Sequence, residues 1–536
     1  MPTADSSEGD LHAGDSGLAF TLRYAVPGLV GSAVLAIGAL GVGWVPTDEL
    51  SSTVIHAMQS PGLGKIVSTA SVILGGALLL QAWLVVGGDV LAGHIRNVRR
   101  LWGVLALWIA PLMLVPPLFS RDAYSYYAQG KLLLKGVDPY ANGVSSIPGW
   151  FDAGVDPMWQ NTPTPYGPLF LALSRGVAAL FSNPYLAVIG FRLIAVAGIA
   201  LMAYYVPRLA FHHGIDSSKA LWLGVMNPLV LMHFVAGVHN DALMVGLLVA
   251  GLCLAVEKRV IAGTLLIVMA GMVKPIALLA LPFVGLIWAG TRSDLRRRLV
   301  AWLKVGALTV GAFVLLSAVI GVNAGWIRAL TTPGSVKTWL SPSTAAGMFS
   351  GDLLDWIGLG DHTELTVSVF RLIFEVGAIA FIAWLIVRPE GRTPVRGATL
   401  AFVAVVALGP VVQPWYLLWS LPLAAASGIK ARSLKWVMLG IAAFTLYGLW
   451  ETSASKDSVI EFSDGIAMVA AAAAVGIAIS ISPRERALLF GEPVEHGLVP
   501  EDSVSLARRD QLVIRPLEAA APRVGLNPKP SEPDTL

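Results

Sequence analysis

From about residue 19 to residue 481 the chain alternates long apolar runs with short polar joints. A helix that crosses a bilayer needs roughly 20 mostly apolar residues, within a range of about 17–25. That ruler picks out 19–45, 65–87, 101–119, 185–206, 220–235, 241–257, 260–274, 276–290, 299–321, 366–387, 397–411, 415–427, 434–450 and 463–481. The pattern therefore predicts an all-α polytopic membrane protein with about 14 transmembrane helices. One further apolar stretch, 167–182, is interrupted by Ser174 and Arg175 and reads as a re-entrant or interfacial helix. Residues 1–17 and 483–536 are polar and read as a disordered amino terminus and a largely disordered tail, flanking a membrane module over 18–482. The first apolar run carries no small-residue cleavage site and is expected to remain as an anchor.

Composition agrees. Of 536 residues, 55% are hydrophobic and only 13% charged, about half of what a soluble domain carries. Mean hydropathy is +0.70. These values exclude a soluble enzyme, a disordered chain and a nucleic-acid binder. One cysteine, Cys253, rules out an internal disulfide or a CxxC site.

Basic residues orient the spans. With the amino terminus inside, the inner loops carry 21 Lys and Arg, among them the Arg292, Arg296, Arg297 and Arg298 cluster; the outer loops, though longer, carry nine. Positive charge gathers on the cytoplasmic side of membrane proteins, so both termini are expected inside and residues 120–184 and 322–365 outside. Promoting 167–182 to a full span would invert this arrangement for every later loop.

The remaining polar chemistry falls on the expected outer face. In SRDAYSYYAQG, Ser120 is placed to cap a helix beginning at Asp122. Asp122, Tyr126 and Gln129 are spaced to share one helical face. A carboxylate beside a hydroxyl and an amide suits proton removal from a sugar alcohol; an ion pair with Arg121 is the alternative. His239 and Asp241 stand at a helix entrance and suit capping with hydrogen bonding to a polar ligand. Two such groups do not make a metal site, and none is assigned, although a divalent ion is not excluded by the sequence. Arg192 and Arg371 lie inside apolar runs, where a charge needs a partner or a polar cavity. Together with Lys274 and Lys337 they are candidate ligands for a lipid phosphate; Glu375 is an alternative partner for Arg371.

FSRDAYSYYAQG (119–130), GVDPY (136–140), PYGP (165–168), NPLVLMH (227–233), GVHNDALMVGLL (237–248), GSVKTWLSPS (334–343) and PWYLLW (414–419) resemble the actinobacterial polyprenol-phosphomannose-dependent α-1,6-mannosyltransferases of the Mpt type, within the GT-C superfamily. The resemblance runs in order from about residue 20 to residue 480. It implies a GT-C fold with a helical first large outer loop and a polyprenyl-phosphate mannose donor. It also implies an acceptor in the α-1,6-mannan core of lipomannan-type glycolipids, and a plasma-membrane enzyme active on its outer face. The acid of the first large outer loop, expected to be the catalytic base, corresponds to Asp122. Two spans would then precede the shared module. His-Asn-Glu in some relatives is His239-Asn240-Asp241 here, an acid with a shorter reach. Tyr126, Gln129, Tyr140, Trp159, Tyr166, His239, Asp241 and Trp415 are the expected sugar-binding residues. No organic cofactor and no nucleotide site is expected, since no Gly-rich phosphate loop occurs. A lipid-linked sugar flippase, or a GT-C enzyme using another polyprenyl-phosphate sugar, is the competing reading.

Overall fold

The computed structural model describes residues 17–46, 53–290, 292–328, 337–453, 483–491 and 497–498. Helices account for nearly all the regular structure among them; the only β-pairing there is an isolated bridge between Ile429 and Leu498. Five helices are long and apolar enough to cross a membrane: Gly17–Val42 (α1), Leu63–Leu91 (α2), Pro184–His212 (α6), Leu295–Ile320 (α11) and Thr363–Val387 (α13). Each coincides with an expected span. The remaining helices, one of them 23 residues long, take up the other expected runs and parts of the expected outer segments, except 463–481, which lies outside the described residues. These are Val98–Ile109 (α3), Asp122–Leu134 (α4), Pro168–Leu180 (α5), Ser217–Gly224 (α7), Asp241–Val256 (α8), Val260–Val273 (α9) and Pro275–Ala289 (α10). Pro342–Trp356 (α12), Pro394–Leu408 (α14), Leu417–Ser427 (α15) and Ala431–Ser453 (α16) complete the set. Helix α5, with 13 residues, extends about 20 Å, short of the ~30 Å hydrocarbon core, which fits a non-spanning helix.

Breaks in the ladder have visible causes. Pro275 lacks an N–H, and Lys274 before it is extended (φ −144°, ψ 118°). A π-turn over Val230–Ala236 meets α8 at 115°. The four residues between them carry His239 and Asn240, and Val238 there has φ +58°, a left-handed conformation rare for a β-branched residue.

Helices α1 and α2 form a hairpin held by close backbone approach. A Cβ on Gly75 would stand 2.4 Å from the Leu35 nitrogen, and one on Gly38 would stand 2.6 Å from the Ser68 oxygen. Small residues permit such contact in membrane helices. The hairpin docks through Trp83, stacked on Trp222 of α7 at 4.9 Å. Each indole Nε1 donates to the other residue's carbonyl, at 3.3 and 2.9 Å. At its far end the Trp44 carbonyl accepts the Tyr124 hydroxyl at 2.6 Å.

The core surrounds α8, whose residues are almost all buried. Helices α11 and α13 lie outside it, with only 6% and 11% of their most apolar windows buried, as lipid-facing spans require. The expected outer segment 322–365 contains α12, whose Ser341, Ser343 and Thr344 hydroxyls donate to the carbonyls of Gly409 and Pro410 at 2.6 to 3.1 Å. The segment expected to be a loose tail from 483 begins instead with helix Pro483–Phe490. Its Leu489 is buried, and Lys435 Nζ donates to the Gly491 carbonyl at 2.7 Å.

Candidate functional site

Asp122 opens α4, its backbone N–H donating to Ser120 Oγ at 3.0 Å in the turn before the helix; the N-cap position itself is Arg121, whose side chain does not cap, so Ser120 braces the helix entrance without being its cap. Arg121 turns away from Asp122: its Nε donates to the Gly154 carbonyl at 2.8 Å and its guanidinium rests 4.0 Å over the Trp44 ring. The Asp122 carboxylate faces inward. Oδ1 accepts Trp159 Nε1 at 3.2 Å, and Oδ2 stands 3.6 Å from His239 Nδ1. Its side chain keeps 20% of its surface exposed. Burial raises its pKa from 3.8 to about 6, partly countered by the positive charge of Lys274 and the Trp159 hydrogen bond.

A second carboxylate sits alongside. Asp241, at the start of α8, takes Lys274 Nζ on both oxygens at 2.8 and 3.0 Å, and Trp419 Nε1 at 2.6 Å. Lys274 lies 5.3 and 5.2 Å over the rings of Tyr416 and Trp419, which stack on each other at 4.0 Å. His239 stacks on Trp415 at 3.9 Å and 23°. The two helix breaks, at 237–240 and at Lys274-Pro275, thus bring an acid, two histidines (His233 and His239), a lysine and three aromatic rings of the 414–419 segment into one cluster.

Several polar atoms there are buried without a hydrogen-bond partner: His239 Nε2, both His233 ring nitrogens and both side-chain polar atoms of Asn240; Gln129 Nε2, two turns further along α4, is unpartnered as well. Native interiors leave few such atoms, so their concentration beside Asp122 marks a place prepared for a polar ligand.

The structure brings Asp122, Trp159, His239, Asp241, Lys274 and Trp415 together, with Gln129 two turns further along α4. Gln129 Oε1 accepts Thr164 Oγ1 at 3.0 Å. Tyr126 and Tyr166 are buried and meet edge to face at 5.2 Å, with Tyr126 also against Phe170. Tyr140 donates its hydroxyl to the Tyr166 carbonyl at 3.0 Å. The Tyr126 and Tyr166 rings form a packed wall behind the acid, with Tyr140 joined to it through that hydroxyl, and the Tyr126 hydroxyl is buried without a hydrogen-bond partner.

The four basic candidates separate. Only Lys274 belongs to the cluster. Arg192 is fully buried, its Nε donating to the Val235 carbonyl and its Nη1 to the Met113 carbonyl at 2.9 and 2.8 Å. It ties two interrupted helices together, while its Nη2 is buried without a hydrogen-bond partner. Lys337 pairs with Glu364. Arg371 donates Nε to Thr344 Oγ1 at 2.9 Å.

Trp419, Tyr416, Asn240, His233 and Thr164 were not anticipated from sequence. Trp419 had a signal: it follows Trp415 by four residues, one helical turn, so two indoles face the same region. Among the described residues, one trio of metal-ligating side chains gathers elsewhere, at the carboxyl ends of α6 and α8. His212, Cys253 and Glu257 place ligand atoms within 4.8 Å of one another. Arg208 Nη2 already occupies Glu257 Oε2 at 2.8 Å, which disfavours a cation there.

A family model described as alpha-(1->6)-mannopyranosyltransferase, N-terminal domain, matches residues 25–290, and one described as the MptB C-terminal domain matches residues 343–482. An alpha-(1->6)-mannopyranosyltransferase of Mycobacterium tuberculosis is 33% identical over 522 residues, covering 86% of this chain and 87% of its own. Alpha-(1->6)-mannopyranosyltransferase A of the same organism is 35% identical over 432 residues, covering 77% and 83%. Alpha-(1->6)-mannopyranosyltransferase B of Corynebacterium glutamicum is 30% identical over 438 residues, covering 74% and 72%.

Proposed function

Because this chain belongs to the alpha-(1->6)-mannopyranosyltransferase family and is a mannosyltransferase, we propose that it takes mannose from polyprenyl-phosphate mannose on the outer face of the plasma membrane. The acceptor is the 6-hydroxyl of an α-mannoside, and the product extends an α-1,6-mannan core of lipomannan or lipoarabinomannan type.

A β-linked donor and an α product require one inverting displacement. Asp122 takes the proton of the acceptor 6-hydroxyl, and that oxygen forms a bond to the anomeric carbon as the bond to the phosphate oxygen breaks. Polyprenyl phosphate leaves with the electron pair. A carboxylate with a pKa near 6 is ionised at neutral pH yet basic enough to accept a proton as it leaves a hydroxyl. The leaving phosphate is already anionic and needs a nearby cation more than a proton; Lys274 is the cation of this cluster. The unpartnered atoms of Gln129, His239 and Asn240 suit sugar hydroxyls. Trp415 and Trp159 carry rings at the edge of the same region.

The observation that supports this most is the juxtaposition of a half-buried, pKa-raised acid with buried polar atoms that lack hydrogen-bond partners. The test uses membranes holding Asp122→Asn, labelled polyprenyl-phosphate mannose and a short α-1,6-mannoside. The variant should insert and fold but make no longer product. Product formation near the parent rate would move the base elsewhere. If the parent moved donor across the membrane and made no product, the flippase reading would replace this one.

A further inference from the structure

At the end of α11 far from the acid lies a second chemical feature, which the mannosyl transfer does not use. Helix α11 runs 26 residues from Leu295, about 39 Å. Just beyond its carboxyl end, Asn323 Nδ2 donates to Asp138 Oδ2 at 2.6 Å, in the loop that follows α4. Its amino end therefore faces the opposite side of the bundle, the cytoplasmic face in the orientation proposed above. There α10 and α11 border an open cavity of about 540 Å³ lined by Trp288, Asp294, Arg296, Arg297, Val300 and Lys304, its charged side chains exposed to solvent.

The charge in this cavity is unbalanced. Asp294 Oδ1 accepts the Arg297 backbone N–H at 3.1 Å as the helix cap, and its distance to Arg297 Nε is 4.0 Å. Among the described residues no carboxylate pairs with Arg296 or Lys304; Lys304 Nζ instead lies 5.4 Å over the Trp288 ring. The adjacent Arg298 is turned aside to Glu390 at 3.6 Å. Three cations, one acid engaged in capping, and the first turn of a long helix make a concave site for an oxyanion. From its rim an exposed apolar stripe, Val300, Leu303, Val310 and Val314, runs up α11 at helical spacing. A free phosphate has no use for such a stripe, whereas acyl chains do.

We propose that the α10–α11 cavity binds the phosphodiester headgroup of an anionic phospholipid, with its chains laid along the exposed stripe of α11. The site is separate from the transfer reaction and does not depend on the choice of Asp122 as base.

The test is native mass spectrometry of the full-length protein in detergent, titrated with phosphatidylglycerol or phosphatidylcholine of the same chain length. A variant carrying Arg296→Gln, Arg297→Gln and Lys304→Gln is compared with one carrying Lys430→Gln and Arg432→Gln. The latter pair lies at the same end of the bundle, since Arg396 joins Gly428 there. Phosphatidylglycerol should be retained in preference to phosphatidylcholine. The triple variant should lose that preference by roughly tenfold or more, the scale expected for three headgroup cations, while the Lys430/Arg432 variant keeps it. Equal retention of both lipids, or equal loss in both variants, would overturn the proposal. Displacement of the lipid by inorganic phosphate at equal concentration would likewise overturn it, in favour of a free-anion site. Thermal midpoints of both variants separate lipid loss from unfolding, and a triple variant with parent stability and parent lipid retention counts against the proposal.

Discussion

Trp159 donates its indole N–H to the Asp122 carboxylate across 3.2 Å, although 37 residues separate them in the chain. The bond stabilises the ionised carboxylate against the burial that favours its neutral form. The proposed mechanism requires the ionised form, so kcat/KM should fall as pH drops through about 6. In Trp159→Phe the carboxylate loses a donor, its pKa rises further, and the acid limb moves to higher pH. A pH profile of mannosyl transfer in parent and variant checks this; an acid limb unchanged in Trp159→Phe would argue against Asp122 as base.

Lys274 and Asp241 form a pair in which the acid is 1% exposed and the amine 18%. Removing one partner of such a pair leaves an uncompensated charge, at a cost of about 3 kcal/mol. Lys274→Met should therefore lower stability to chemical denaturation by about that much. Adding Asp241→Asn should recover most of the loss, without recovering activity. Full activity in the double variant would remove Lys274 from the mechanism.

Arg192 separates a fastening role from a phosphate-binding one. Lysine keeps the charge but cannot reach two carbonyls with a planar fork, so Arg192→Lys should cost about 1 to 3 kcal/mol through the unsatisfied groups left behind. The KM for the lipid donor should hardly move. A large rise in donor KM at parent stability would restore Arg192 as a phosphate ligand.

Val238 (φ +58°) precedes His239, and Phe119 (φ +66°) lies three residues before Asp122. Leu118 N–H donates to the Ala236 carbonyl at 3.0 Å and joins the two strained segments. A left-handed conformation costs a residue with a Cβ about 1 to 2 kcal/mol. Alanine keeps that cost and glycine does not, so Val238→Gly should be at least as stable as Val238→Ala, the reverse of the usual order in helices and strands. Turnover should nevertheless be lower in the glycine variant, because the segment carrying His239 is freed. Denaturation midpoints and initial rates for the two variants decide it.

The long spans were legible because 20 or more consecutive apolar residues have one physical reading. Around α8 the joints were legible as well, because His239-Asn240-Asp241, Lys258-Arg259 and Lys274 interrupt the apolar runs where the ladder breaks, and the helices between them have only 16 and 14 residues. Asp122, Trp159, His239 and Asp241 could be picked out as polar or aromatic residues in polar joints. Arg192 was visible as a buried charge, but its partners are the carbonyls of Met113 and Val235, which no side-chain letter marks. Tyr126 and Tyr140 were legible as aromatics near the acid, not as the packed wall they form, since that depends on Phe170 and Tyr166 arriving from other segments.

The amino-terminal hairpin has the look of a dispensable anchor. Two residues past α1, at the tip of the hairpin, nonetheless stands Trp44, whose ring supports Arg121 and whose carbonyl fixes Tyr124, the residues one before and two after the acid. Trimming that hairpin to obtain a smaller protein would kick away the prop from beneath the proposed base, and whatever tugs on the front of this polypeptide has a short mechanical route to Asp122.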